Sequence, residues 1–111
     1  MSTSKTLTSI DLENMAKKIV DHIHPNRVWL FGSYAQGTAT PDSDVDFYVE
    51  IEDGKNIFEA GRELQRLFRP RTIPMDFLVR TASMVEKNNK SRVSFYSMVI
   101  KETGKILYER N

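Results

Sequence analysis

The 111-residue chain has no cysteine. This absence excludes disulfides, thiolate-bound zinc and a thiol nucleophile, and it fits a reducing compartment. The chain also has little net charge, because its formal charge at pH 7 is only +1. A broad polyanion-binding surface is therefore not expected, and neither is direct binding to nucleic acid.

Long apolar runs are absent as well. No stretch approaches the roughly 20 apolar residues of a membrane-spanning helix. The polar start, "MSTSKTLTS", lacks the apolar segment of a secretory signal. We therefore expect a cytoplasmic protein that does not contact membranes. A content of 40% apolar and 28% charged residues is typical of a soluble globular chain, and we expect a single domain over residues 1–111.

Apolar residues recur at helical spacing in two segments and at strand-like spacing in three. The two predicted amphipathic helices are "TSIDLENMAKKIVDHIH" and "NIFEAGRELQRLFR". The three predicted strands are "RVWLFG", "DVDFYVEI" and "TIPMDFLV". After them we expect a short helix, a polar loop, a helix that Gly104 stops and an edge strand, "KILYE". This order predicts an α/β (α+β) fold, a small mixed β-sheet flanked by helices.

The second predicted strand alternates between polar and apolar residues. Asp44, Asp46 and Tyr48 lie on one face, and the opposite face is apolar, so we expect a strand with one buried face. Near the end of the chain, Phe95 and Tyr96 are expected in the core.

Three aspartates are candidates for a metal centre. Asp44 and Asp46 stand two residues apart on one strand, and Asp76 is the only carboxylate inside the next predicted strand. If the strands are neighbours, each like-charged pair costs roughly 4 kcal/mol at about 4 Å and an effective dielectric of about 20. The side chains must then splay into water, take up protons or hold divalent cations. An all-oxygen site suits Mg²⁺ or Mn²⁺, and two such ions promote in-line displacement at phosphorus.

Gly32 and Ser33 follow directly after a predicted strand. A glycine there lets a ligand approach the backbone, and a serine hydroxyl with the first amides of a helical turn favours phosphate. Alone, Gly-Ser is a common turn and Asp42-Ser43-Asp44 is more often a solvated strand entry. At this spacing and between two strands, the two elements together indicate a site for a nucleoside triphosphate.

The same residues resemble a known signature. Gly32-Ser33, a ten-residue spacer, Asp44-x-Asp46 and the isolated Asp76 are similar to the motif of the DNA polymerase β-like nucleotidyltransferase superfamily. Within it, "FGSYAQGTATPDSDVDF" resembles the minimal nucleotidyltransferases (MNT), the antitoxins of HEPN–MNT toxin–antitoxin pairs. The resemblance is strongest between Val28 and Val79.

The resemblance implies a reaction and a role for each residue of the motif. Asp44, Asp46 and Asp76 would hold two Mg²⁺ ions, with Mn²⁺ as a possible substitute, and Gly32 with Ser33 would hold the β- and γ-phosphates. AMP would pass from ATP to a hydroxyl, with tyrosine the expected acceptor, on a HEPN ribonuclease toxin. Gln36 departs from the family, whose members commonly have arginine there, and we expect the lost cation to affect the rate of the reaction more than its chemistry.

The sequence is compatible with two alternatives. The chain could neutralise the toxin by binding alone, with an idle metal site, or it could transfer a nucleotide to a small molecule. The intact aspartate set favours an enzyme, whereas Gln36 favours the binding module. Relatives that modify small molecules add further domains to hold the acceptor, and these would not fit within 111 residues.

Overall fold

The structure is a computed structural model that describes residues 6–70 and 73–111. Its elements, in chain order, are α1 (Ser9–Ile23), β1 (Arg27–Phe31), α2 (Ser33–Gln36), β2 (Val45–Ile51), α3 (Ile57–Leu67), β3 (Met75–Thr81), α4 (Ala82–Asn89), a π-helical segment (Tyr96–Ile100), α5 (Lys101–Thr103) and β4 (Lys105–Glu109). The predicted mixed sheet with flanking helices is confirmed. No helix of the described residues has the length and apolar content needed to cross a membrane.

Side-chain caps determine where the two amphipathic helices begin. At the start of α1, the Asp11 amide donates to the Thr8 hydroxyl at 3.2 Å, and the Thr8 amide donates to the Asp11 carboxylate at 2.8 Å. This reciprocal pair satisfies amides that the helix itself leaves unbonded. The Asn56 side chain caps α3 by accepting from the amides of Phe58 and Glu59. Both predicted helices are therefore confirmed.

The four strands form one sheet in the order β3-β2-β1-β4. β1 is antiparallel to β2 and β4, whereas β2 and β3 are parallel, with α3 in the connection between them. β4 lies at the edge, as predicted. β3 begins at Met75, later than the predicted segment, whose first residue, Thr72, lies outside the described residues. The parallel pair matters for function because it aligns the starts of β2 and β3.

The sheet is covered on both faces. Its main core packs against α1 and α3, and a second cluster lies on the opposite face beneath α4 and the π-helical segment. The expectation that β2 has one buried face is wrong, because Tyr48 and Glu50 are buried along with the apolar positions. The prediction for Tyr96 is confirmed, whereas Phe95 is 45% exposed and is not a core residue. Within β2, Asp46 is the one residue that is partly exposed to solvent.

Glu50 is buried but has a cationic partner. The Arg27 Nη1 donates to both Glu50 carboxylate oxygens, at 3.0 and 3.1 Å, and the Arg27 Nε donates to Glu109 at 2.8 Å. The hydrogen bond to Glu109 and the charge of Glu50 raise the pKa of Arg27 against the opposing effect of burial. The buried Glu50 thus has a cationic partner where these three strands meet, in contrast to Asp46 at the start of β2, which no ion pair of the described residues reaches.

Candidate active site

Gly32 lies between β1 and α2 in a backbone conformation that favours glycine. Its φ is 77° and its ψ is −157°. A Cβ at this position would overlap Oδ2 of Asp46 and would lie 3.3 Å from its Cγ. Both the backbone conformation and the available space therefore require a residue without a side chain. The end of β1 can approach the Asp46 carboxylate only because Gly32 is glycine.

The short helix α2 starts immediately after this glycine. Its first internal hydrogen bonds run from the amides of Ala35 and Gln36 to the Gly32 carbonyl, at 3.1 and 3.2 Å. The amides of Ser33 and Tyr34 therefore precede the first helical donors. Gln36 is the last residue of the helix and is exposed. The structure places the predicted Gly32-Ser33 pair beside the predicted carboxylates.

The structure also brings the three aspartates together. Asp46 pairs with Asp76 in the parallel register of β2 and β3, and Asp44 lies immediately before β2. Carboxylate oxygens from the three residues lie within 4.8 Å of one another. Asp44 and Asp76 are exposed, whereas Asp46 is partly buried between them. The geometry is the one that the sequence predicted if the two strands were neighbours.

Burial and the neighbouring carboxylates raise the pKa of Asp46 from 3.8 to about 6. The largest cause is burial of the carboxylate, followed by the negative charge of Asp76, a hydrogen bond with Asp76 and the charge of Asp44. Each effect opposes ionisation, and among the described residues no cationic side chain offsets these charges at Asp46. A divalent cation would offset them, and a set of carboxylate oxygens is the donor set that Mg²⁺ prefers. The residues present therefore fit a Mg²⁺ site.

The raised pKa gives a pH-dependent stability in the absence of metal. Between pH 3.8 and about 6 the folded chain binds more protons at Asp46 than the unfolded chain does. The stabilising contribution is therefore complete below the lower value and is lost as the pH rises through the upper one. Between pH 3.8 and about 6, we expect the free energy of unfolding of wild type to fall by about 1 to 2 kcal/mol relative to that of Asp46→Asn. This figure is discounted for the partial exposure of Asp46.

Urea unfolding in EDTA, at several pH values from acid to neutral, measures this loss. Because the two proteins share every other titrating group, the difference between their free energies of unfolding reports Asp46 together with its coupling to Asp44 and Asp76. If the difference in free energy of unfolding stays constant with pH, or if wild type gains stability relative to Asp46→Asn as the pH rises, the pKa of Asp46 is not raised in the folded chain.

Two aromatic residues near the carboxylates were not predicted. Phe31 is the β1 residue paired with Asp46, so the two side chains share a face of the sheet. Its ring meets that of Phe95 edge to face, with centroids 5.4 Å apart. The sequence indicated only weakly that Phe31 lies near the site, because it directly precedes Gly32. Phe95 carried none, because its contact depends on how the π-helical segment returns to the sheet.

The mixed sheet, its flanking helices and the aspartates beside a glycine turn match the nucleotidyltransferase fold. The sequence pattern of the nucleotidyltransferase domain matches residues 13–109. The chain therefore belongs to the nucleotidyltransferase domain family. No curated protein sequence matches it.

Solved structures resemble the chain over most of its length. A toxin–antitoxin crystallised with AMP-PNP is 29% identical with a TM-score of 0.59, over 89% of this chain and 74% of that one. An MntA–HpeT toxin–antitoxin variant with two aspartate-to-glutamate substitutions, two residues apart, is 27% identical with a TM-score of 0.58, over the same shares. A putative nucleotidyltransferase from Sulfolobus solfataricus, 20% identical with a TM-score of 0.57 over 98% and 94%, shows the fold alone.

Proposed function

We propose that the chain is a Mg²⁺-dependent nucleotidyltransferase that transfers AMP from ATP to a hydroxyl of a HEPN ribonuclease toxin. Tyrosine is the expected acceptor, and the transfer would make the chain the antitoxin of that toxin. The carrying observation is the convergence of the Asp44, Asp46 and Asp76 oxygens within 4.8 Å, next to the Gly32 turn. Metal-assisted transfer at phosphorus needs this combination of oxygen ligands and phosphate donors.

The similar structures support the substrate and the partner. One is a toxin–antitoxin with AMP-PNP, an ATP analogue. In the MntA–HpeT variant, the two substituted aspartates have the same spacing as Asp44 and Asp46. These are properties of those proteins, and we extend them to this chain because its aspartates have the same spacing and its fold is similar.

Each site residue has a proposed role. Asp44 and Asp46 would hold the two metal ions, and Asp76 would complete the site of the ion that activates the acceptor hydroxyl. The bound ions would supply positive charge that stabilises the displacement. The amides and the hydroxyl at Gly32-Ser33 orient the β- and γ-phosphates.

The proposed reaction is a single displacement. The acceptor oxygen forms a bond to the α-phosphorus, and the bond from that phosphorus to the bridging oxygen breaks. Pyrophosphate leaves, and the acceptor proton passes to Asp76 or to solvent. We further propose that residues 1–111 act as one catalytic domain in the cytoplasm, and that the partner presents the hydroxyl.

A labelling experiment tests this function. The purified chain is incubated with Mg²⁺, a lysate of its source cells and ATP labelled at either the α- or the γ-phosphate. We expect a protein band to acquire α-label but not γ-label, because nucleotidyl transfer keeps the α-phosphate and releases the other two. The protein in the labelled band, identified by mass spectrometry, should be a HEPN protein modified at a hydroxyl. γ-Label that appears on a protein band only when the chain is added, or a labelled small molecule instead of a protein, would contradict the proposal; the lysate without the chain is the control for its own kinases.

Gln36 favours the second candidate, neutralisation by binding alone. It is exposed at the end of α2, next to the proposed phosphate site. If this residue weakens catalysis, Gln36→Arg should increase the α-label. A folded chain that co-purifies with a toxin but labels nothing, with or without Gln36→Arg, would support the binding module.

A further inference from the structure

A cavity of about 350 Å³ lies beside the carboxylates on the same face of the sheet. Its floor is formed by Tyr48 of β2 with Leu78 and Arg80 of β3. Its opposite wall is formed by Asn88 at the end of α4 and by Ser94 with Phe95 before the π-helical segment. The cavity thus combines aromatic and polar surfaces, and the metal site does not use any of these side chains.

Tyr48 gives this cavity an unused hydrogen-bond donor. The residue is 1% exposed, and its hydroxyl has no hydrogen-bond partner among the described residues. Burial raises the pKa of Tyr48 to about 12, although Arg80 and the nearby Asn88 side chain lower it. Asn88 thus lies close to the hydroxyl but outside hydrogen-bond geometry. A buried hydroxyl without a partner is unfavourable, so a ligand acceptor placed here would be stabilised.

The opposite wall is fixed in position by the chain itself. The hydroxyls of Ser94 and Ser97 both donate to the Asn88 carbonyl, at 2.6 and 3.1 Å. These bonds attach the end of α4 to the π-helical segment and hold Asn88 at the cavity. Its carboxamide offers both a donor and an acceptor, which is the combination that a planar base edge requires.

The cavity adjoins the metal site along the strands. Asp46 and Tyr48 alternate onto one face of β2, and their β3 partners are Asp76 and Leu78. Two strand residues span about 7 Å, a gap that the sugar can bridge because it links the α-phosphate to the base. Phe95, which lines the cavity, also packs against Phe31, the strand partner of Asp46. Phosphate bound at the carboxylates would therefore place its nucleoside at the cavity.

We propose that this cavity binds the nucleoside of the substrate, with Tyr48 and Asn88 reading the base edge and Phe95 providing a stacking surface. This inference rests on the proposed function, because it needs a nucleotide whose phosphates lie at Gly32-Ser33. It adds the residues that distinguish a nucleotide from bare polyphosphate. Aromatic stacking tolerates any base, whereas the carboxamide and the hydroxyl select for hydrogen-bonding pattern.

Calorimetric titration with ATP and with inorganic tripolyphosphate, both with Mg²⁺, tests the pocket. Tyr48→Phe and Asn88→Ala should each weaken ATP binding about tenfold, the effect of one lost hydrogen bond. Neither should change tripolyphosphate binding, because that ligand has no base. Asn89→Ala is the matched control: Asn89 is exposed and accepts from Lys101 at 2.7 Å, away from the cavity. It should leave both affinities unchanged.

The two ligands separate failure of the pocket from failure of the function. The nucleoside proposal is overturned if both variants bind ATP as tightly as wild type does, or if wild type binds ATP no more tightly than tripolyphosphate. Neither result would contradict the proposed metal and phosphate site. A wild type that binds neither ligand would overturn both proposals. If Tyr48→Phe and Asn88→Ala bind ATP as wild type does but transfer AMP only at high acceptor concentration, the cavity binds the acceptor, and the nucleoside proposal is overturned.

Discussion

Asp44→Asn combined with Asp46→Asn is expected to abolish nucleotidyl transfer while leaving the chain folded. Metal ions supply several kcal/mol of transition-state stabilisation, and each 1.36 kcal/mol is a factor of ten, so transfer should fall about a thousandfold or more. Both side chains lie at the open start of β2, outside the apolar core. The substitution therefore removes ligands without creating a cavity.

The same variant should be at least as stable as wild type when metal is absent. Asp46 is strained by burial and by its two acidic neighbours, and neutral amides remove that strain. Mg²⁺ should then stabilise wild type but not the variant, by about 2.7 kcal/mol at a hundred times the dissociation constant. Urea unfolding with EDTA and with Mg²⁺, next to the α-label assay, measures both effects.

Asp42→Asn is the matched control for the double variant. Asp42 is exposed in the preceding loop, and it is outside the carboxylate cluster of Asp44, Asp46 and Asp76. It should keep both transfer and the response to Mg²⁺. Transfer by the double variant at the wild-type rate would refute the metal-dependent mechanism.

Much of this site was predictable because its motif is local in sequence. The turn at Gly32 and the pair Asp44-x-Asp46 follow from strand ends that alternation locates well. The contribution of Asp76 was conditional, since periodicity does not say which strands are neighbours. The parallel register that pairs Asp46 with Asp76 is a tertiary fact, and it depends on the packing of α3.

The errors concern the face of the sheet beside the site. Glu50 is charged, and a charged residue at a strand position is normally exposed. Arg27 pairs with it across β1 and β2 and permits its burial. Tyr48 is covered because α4 and the π-helical segment fold over that face. A five-residue π-helical segment has no distinctive apolar spacing, so the sequence could not show that Phe95 would stay half exposed. The cavity that we assign to the nucleoside arises from these same long-range contacts.

Gly32→Ala is expected to reduce transfer by about a hundredfold or more, because displacing a site residue by about 1 Å can have this effect. The new methyl group would overlap Asp46 Oδ2, so either the carboxylate or the start of α2 must move. The backbone conformation of Gly32, with positive φ and ψ near 180°, adds a cost of about 1 to 3 kcal/mol to folding when a side chain is present. Mg²⁺ stabilisation and ATP affinity should both fall.

Gly54→Ala separates this overlap from the backbone strain. Gly54 has a φ of 89°, and a Cβ there would meet nothing within 4 Å. It lies beyond the other end of β2, away from the carboxylates. We expect Gly54→Ala to lower the free energy of unfolding in urea by about 1 to 2 kcal/mol and to keep full transfer. If the two alanine variants lose transfer equally, strain alone explains the effect, and the close approach of Gly32 to Asp46 is not needed for the chemistry. If only Gly32→Ala loses it, the glycine is required because it leaves room for the carboxylate that we assign to the metal.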